Sequence, residues 1–247
     1  MSVVPLVRTF PVMEIFGPVV QGEGPVAGQV THFVRFGLCD YRCSWCDSMF
    51  AVEPKEVKLH GRRLSNLEIE LELSTLPRAP WVTFSGGNPA LHDLETLVSD
   101  IQNAGVNVCV ETQGSKWRDW LSMVAMLVVS PKPPSSGMAT DEHREETDRF
   151  MAEADRSQPL NRRAIKIVVF DEDDLTWADA FMIEYPWPHL YLSVGTDPPH
   201  EHETLLETRD RVCDRYRWLC ERVPYLASRV TVLPQLHVLA YGHQRGV

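Results

Sequence analysis

No run of apolar residues in this chain is long enough to cross a bilayer, which takes about 20 in succession. The longest, around residues 120–129, is far shorter. The sequence does not open with a basic start followed by an apolar core of about 7–15 residues, so a cytoplasmic location is expected rather than secretion. Basic residues are scarce: 24 Lys and Arg against 34 Asp and Glu leave a formal charge of -10. Non-specific binding to nucleic acid needs the reverse balance. Neither a nucleic-acid nor a membrane partner is expected, and a small-molecule substrate suits an acidic surface better. A disulfide framework is also missing. Three of the six cysteines crowd into one short stretch and three are scattered, a pattern that suits metal or catalytic use in a reducing compartment. No internal repeat or low-complexity linker divides the chain, so residues 1–247 read as one domain, with 1–12 as a flexible lead.

What the chain does have is enough apolar residue, 44%, to bury a core. Apolar, β-rich runs fall at 31–38, 81–85, 106–112, 126–130, 164–170, 189–195 and 230–233. Most are continuous rather than alternating, as parallel strands buried on both faces are. Between the second and third, Leu94, Leu97, Val98 and Ile101 form a helical stripe that Gly105 stops. Ser65 and Glu68 make a capping box, and although Ile69, Leu71 and Leu73 alternate like a strand, the cap favours a helix. Further helices are predicted near 173–185 and 202–222, and the acidic run DEHREETD (141–148) reads as a solvated helix face. Strands alternating with helices imply right-handed crossovers and a parallel sheet. About six such units fall short of eight, so the fold class is α/β, an open, partial TIM-type barrel with its chemistry at the carboxyl ends of the strands.

Directly after the first predicted strand comes LCDYRCSWCDS, spacing its thiols as Cys39-x3-Cys43-x2-Cys46. Three thiolates from one loop can wrap one metal centre. Iron–sulfur clusters usually take four, and no fourth is near: Cys109 sits in a strand pattern, Cys213 and Cys220 in a late helix. Three ligands leave one iron open. A structural zinc site with His32 or another residue as fourth ligand is the competing reading. A second feature follows the next strand, where WVTFSGGNP ends in paired glycines that let backbone approach a ligand closely.

CxxxCxxC after the first strand of a partial barrel resembles the radical S-adenosylmethionine (SAM) superfamily. The resemblance implies a [4Fe–4S] cluster on Cys39, Cys43 and Cys46, whose open iron is chelated by SAM and which cleaves it to a 5′-deoxyadenosyl radical. Asn88 stands where the superfamily commonly has Glu. Further segments are similar to the 7-carboxy-7-deazaguanine synthases of queuosine and 7-deazapurine biosynthesis: EIFGPVVQGEGPVAGQ (14–29), FVRFGLCDYRCSWCDS (33–48), FSGGNPAL (84–91), ETQG (111–114), SPKPPSS (130–136) and VLPQLHVLAYGHQRGV (232–247).

That resemblance implies ring contraction of 6-carboxy-5,6,7,8-tetrahydropterin to 7-carboxy-7-deazaguanine with loss of ammonia, SAM being regenerated. It also implies Mg²⁺, a hard cation that seeks oxygen ligands, with Ser48 at the ligating hydroxyl position. Against SAM and the cluster it sets Tyr41, Arg42, Trp45, Gly87, Glu111, Gln113, Ser130, Pro131 and Lys132. Against the pterin it sets Val19, Val20, Gln21, Glu23, Arg35, Ser85 and the terminal Val247, residues 232–247 closing over the substrate. For several of these the residues alone allow plainer roles. Ser48 could satisfy its loop backbone, QGEG could be a polar turn, and Arg35 could pair with a core acid instead of a substrate carboxylate. A flavodoxin- or ferredoxin-type reductant and a homodimer complete the expectation. Two other activities stay open, a glycyl-radical-type activating enzyme and a zinc-stabilised binding module without catalysis.

Overall fold

In the computed structural model, which describes residues 7–196 and 202–246, the chain opens on a hairpin rather than a strand–helix unit. β1 (Thr9–Val20) runs antiparallel to β2 (Val30–Phe36). After the cysteine loop come α1 (Met49–Val52) and α2 (Pro54–His60), and β3 (Arg62–Ser65) returns antiparallel along β1. Strand and helix then alternate: α3 (Asn66–Thr75), β4 (Trp81–Gly86), α4 (Glu95–Asn103), β5 (Asn107–Thr112), β6 (Met126–Val129), α5 (Asp141–Ser157), β7 (Arg163–Val169), α6 (Glu172–Glu184), β8 (Leu190–Val194), α7 (Leu205–Arg222), β9 (Thr231–Leu233) and α8 (Leu236–Tyr241). The nine strands form one sheet ordered β3-β1-β2-β4-β5-β6-β7-β8-β9, parallel throughout from β2 to β9.

The seven expected strands are present within two residues at either end, and the two unexpected ones, β1 and β3, are the antiparallel pair. Residues 9–12 are therefore no flexible lead. Phe10 and Val12 are buried, and Phe10 meets Phe36 edge to face at 6.4 Å. The sequence hides β1 because register shifts after Val12 and Phe16 break the period-2 pattern. The four-residue β3 carries one apolar side chain, too few for a pattern. At α3 the cap decides between helix and strand: Ser65 N donates to Glu68 Oε2 at 2.7 Å while Ser65 Oγ accepts from Glu68 N at 3.3 Å. Of the alternating residues only Ile69 is fully buried, and Leu71 faces solvent.

The sheet divides the core by side-chain parity. Val34, Phe36, Phe84, Val110, Leu127, Ile165, Ile167 and Leu192 face the helices in the main core. Their alternates point the other way, where Val26, Cys109 and Val128 pack with Trp81 and Met126 as a smaller apolar floor. The sheet is curled around that floor. Lys166 on β7 touches Glu23 in the β1–β2 loop at 2.7 Å, yet β1 and β7 are five strand spacings apart, roughly 24 Å in a flat sheet. The edge strands β3 and β9 do not pair, so the barrel stays open. Among the described residues no helix is long and apolar enough to cross a membrane.

Candidate active site

The cysteine loop leaves β2 through Leu38, held at φ 77, a conformation costly for a side chain of this kind. It is pinned from both sides: Leu38 N donates to Ala51 O and Asn88 N donates to Leu38 O, each at 2.7 Å. The adjoining Gly86–Gly87 turn comes so close that a Cβ at Gly87 would overlap the Leu38 carbonyl. The same paired glycines that mark the motif thus fasten the carboxyl ends of β2 and β4 together.

Beyond Leu38 the loop is stitched to the 130–136 segment. Ser44 N donates to Ser136 O at 2.9 Å, Ser44 Oγ to Ser135 O at 2.7 Å, and Trp45 Nε1 to Ser135 Oγ at 2.9 Å. Buried Asp174 at the start of α6 accepts from Ser135 N and Oγ, anchoring the arrangement to the core. Trp45 lies on Phe170, with the Lys132 ammonium 5.7 Å from its ring centroid and 3.0 Å from Ser130 Oγ. Arg42 braces the loop from outside, donating to the carbonyls of Cys39 and Tyr41 and pairing with Glu53 at 3.0 Å. Tyr41 is buried behind it against His143.

Cys39, Cys43 and Cys46 are unpaired and part-exposed. Burial raises all three thiols, Cys46 to about 11, partly offset by Lys132 nearby, so they are protonated at neutral pH until a metal displaces the protons. The remaining cysteines are elsewhere: Cys109 lies in the barrel floor and Cys213 and Cys220 are exposed on α7. Among the described residues no three His, Cys, Asp or Glu side chains converge as one ion requires. Zinc needs its donors within about 2.0–2.3 Å of a single point, whereas a cubane takes each thiolate on its own iron. His32, the proposed fourth zinc ligand, is engaged with Pro77 O at 2.8 Å at the start of β2. By donor chemistry, three thiols on one loop suit a cubane that takes each thiolate on its own iron and leaves one corner open, and His32 does not serve as a fourth zinc donor.

Asn88, at the position where glutamate is common, serves the loop directly. Fully buried, it donates through Nδ2 to Asp40 Oδ1 and Ser115 Oγ, both at 3.0 Å, and accepts from Thr112 Oγ1 and Ala90 N. Gln113 donates to Asp40 and approaches Cys39 Sγ at 3.7 Å. A carboxylate at residue 88 would repel Asp40; the amide holds it. Asp40, Asn88 and Ser115 form a support that sequence reasoning missed, although Asp40 sits between two ligands. Gly87, Gln113, Trp45, Ser130, Pro131 and Lys132 all gather here.

Glu111 does not. It faces the barrel interior with Gln21, Glu23 and Lys166. Lys166 Nζ reaches Glu23 Oε2 at 2.7 Å and Glu111 Oε2 at 3.1 Å, Gln235 donates to Glu23 Oε1 at 2.8 Å, and Gln21 to Glu111 Oε1 at 3.3 Å. Burial would raise the Glu23 carboxyl, but the Lys166 ammonium, then His237, outweigh it and hold the pKa at about 2. Lys166 is in turn held above its ordinary range, its own burial overcome by Glu111 and Glu23. A lysine inside an apolar strand was the signal for this group.

A third set lines β1 and β2. Arg35, facing the interior like Phe33, pairs with Glu14 at 3.0 Å and donates to Ser48 Oγ at 3.1 Å. Ser48 in turn donates to Asp47. Arg245 pairs with the other oxygen of Glu14 and stacks over Phe50, 3.5 Å from its centroid, so the C-terminal segment returns to the first strand. Ser85, in register beside Arg35, keeps its Oγ buried without a hydrogen-bond partner. Such a group awaits an acceptor or donor from elsewhere. Val19 and Val20 pair in register with Thr31 and Val30, at the opposite end of β2 from the cysteines, and Val20 points to solvent. Val247 lies outside the described residues.

No family model matches the chain. A 7-carboxy-7-deazaguanine synthase from Bacillus cereus is 40% identical over 243 residues, covering 96% of this chain and 98% of its own. Another, from Bacillus subtilis, is 37% identical over 249 residues, covering 98% and 100%. Among solved structures, QueE from Escherichia coli aligns with a TM-score of 0.61 over 91% of this chain and 93% of its own, at 20% identity, a likeness of fold. Streptococcus suis SuiB aligns at 0.51 and 11% identity, covering 83% of this chain and 49% of its own. Near-full-length identity at this level joins the open barrel and its three-thiol loop in one conclusion: the chain belongs to the 7-carboxy-7-deazaguanine synthase family of radical SAM enzymes.

Proposed function

We propose that the protein contracts the ring of 6-carboxy-5,6,7,8-tetrahydropterin to 7-carboxy-7-deazaguanine, releasing ammonia, in queuosine or 7-deazapurine biosynthesis. The observation that carries this reading is the pairing of two unlike groups at one barrel mouth. A three-thiol loop stands at the carboxyl ends of β2 and β4, and a carboxylate pair, Glu23 and Glu111, held by Lys166, lies in the same interior. When bound, the cluster with SAM supplies a 5′-deoxyadenosyl radical that takes hydrogen from C6 of the pterin.

The chain's own residues bind and orient. Gly87, Gln113, Ser130, Pro131 and Lys132 with Trp45 line the SAM side. Glu23, kept ionised, is an acceptor matched to the adjacent N–H donors of a pterin edge, and Gln21 and Glu111 stand beside it. Arg35 faces the substrate carboxylate, and Ser85 Oγ gains its missing partner there. Ser48 Oγ supplies an oxygen to Mg²⁺. The apolar floor of Val26, Cys109 and Val128 keeps water from entering behind the substrate. A flavodoxin- or ferredoxin-type protein supplies the electron, and the enzyme works as a homodimer. An activating enzyme with additional clusters is disfavoured, because the other three cysteines lie in the floor or apart on α7.

The reduced protein with SAM, Mg²⁺ and carboxytetrahydropterin is expected to release carboxydeazaguanine without net consumption of SAM. Uncoupled 5′-deoxyadenosine as the sole product, across several pterins, overturns the reading. Ser48→Ala is expected to raise the Mg²⁺ needed for half-maximal rate by about tenfold or more with iron content unchanged. Iron loss in that variant would reassign Ser48 to the cluster loop.

A further inference from the structure

We propose that Lys166 is a positioning residue: its ammonium joins Glu23, Glu111 and, through Gln235, the C-terminal segment into one unit that sets the shape of the pterin end of the site. This rests on the function proposed above and adds a residue to it. Lys166 sits in the middle of β7 between Ile165 and Ile167, both in the main core, so its side chain faces the interior. Only 5% of it is exposed, against 14% for Glu23 and 20% for Glu111. The two carboxylates are thus more open than the cation beneath them, and a ligand entering the mouth meets them first.

Each carboxylate has one oxygen on Lys166 and the other on an amide, Gln235 for Glu23 and Gln21 for Glu111. The amides belong to distant parts of the chain. Gln21 begins the β1–β2 loop, and Gln235 precedes α8, whose Leu236 N donates to Gly22 O at 3.2 Å. Gly24, at φ 65, lays the loop over the lysine stem, where a Cβ would stand 3.5 Å from Lys166 Cδ. Loop, β5 and C-terminal segment therefore meet on one ammonium. Two carboxylates and one ammonium leave a single negative charge, which suits a neutral ligand edge rich in N–H donors. Without the ammonium, two buried like charges would repel and one would take up a proton, turning an acceptor into a donor where the ligand also donates.

The test compares wild type, Lys166→Met and the double variant Lys166→Met/Glu111→Gln as holoenzymes. Lys166→Met is expected to keep its iron and its uncoupled SAM cleavage while KM for the carboxytetrahydropterin rises about thirtyfold and kcat changes less than about threefold. Amide hydrogen exchange at residues 21–29 and 235–241 should quicken at least about tenfold. The double variant, relieved of the carboxylate repulsion, should be more thermally stable than Lys166→Met while exchange at both segments stays fast, since Glu23 still lacks its cation. If Lys166→Met keeps wild-type KM and exchange, or if exchange in the double variant recovers together with stability, Lys166 is only a charge counterweight and the proposal fails. Should Lys166→Met not fold, the double variant alone decides, by the same exchange readout. Inactivity of the wild type toward the pterin would count against the function, while exchange would still judge the positioning role.

Discussion

Cys43→Ser should empty the metal centre and abolish turnover, lowering the rate more than about a thousandfold, with iron per reconstituted chain falling from about four toward none. The physical basis is the ligand count. The three thiols share one loop, while the other three cysteines lie in the barrel floor or on α7, so none of them can replace a lost one. Serine keeps the backbone role of the residue, whose carbonyl accepts from Cys46 N at 3.2 Å, so the loop itself should persist. What goes is the donor: an alcohol holds its proton where an iron-bound thiol gives it up. Iron and sulfide analysis with the visible spectrum of the reconstituted variant reads the outcome. Cys213→Ser is the control, because that thiol is exposed on α7. A Cys43→Ser protein with a full, redox-active cluster would remove the three-thiol assignment and the chemistry that follows from it.

Gly87→Ala should cost about 3–5 kcal/mol of stability and release the cysteine loop with it. The methyl group would overlap the Leu38 carbonyl oxygen and press on the Ala51 carbonyl at 3.0 Å, both backbone atoms that cannot turn aside. Leu38 O is the acceptor for Asn88 N and Leu38 N donates to Ala51 O, so displacing this point loosens β2, β4 and α1 together. Gly105→Ala is the matched control. That glycine has φ 83 but open space around its Cβ position, so its substitution should cost only about 1 kcal/mol of backbone strain. Urea melts of the two variants, with reconstituted iron content, separate the effects. Equal small losses would mean that the two strand ends can move apart freely.

Much of this fold was legible from residue order because parallel strands announce themselves as continuous apolar runs and helices through caps and stripes. Ser65 with Glu68 outweighed an alternating Ile69–Leu71–Leu73 pattern, since the cap satisfies backbone groups locally. β1 escaped notice because its bulges shift the apolar parity, and only pairing with β2 and β3 makes it a strand. The cysteine loop was equally plain: thiols a few residues apart are brought onto one loop by chain proximity alone.

The group around Lys166 was not plain in the same way. Glu111 and Gln113 stand two apart in ETQG with the same strand parity, yet Glu111, still within β5, pairs with Lys166 in the interior, while Gln113, just past the end of β5, reaches Asp40 at the cysteine loop. Arg35 needed an anion by its burial, but Glu14 as partner comes from the β1–β2 register, which sets it opposite Arg35, and Arg245 reaches the same carboxylate from far along the chain. By itself the sequence determined the chemistry that local spacing can carry: three thiols on one loop, paired glycines after the next strand, and a parallel α/β order. The tertiary structure alone decided which carboxylate meets which cation, because those partners lie up to 231 positions apart and are joined only when the sheet bends around its apolar floor.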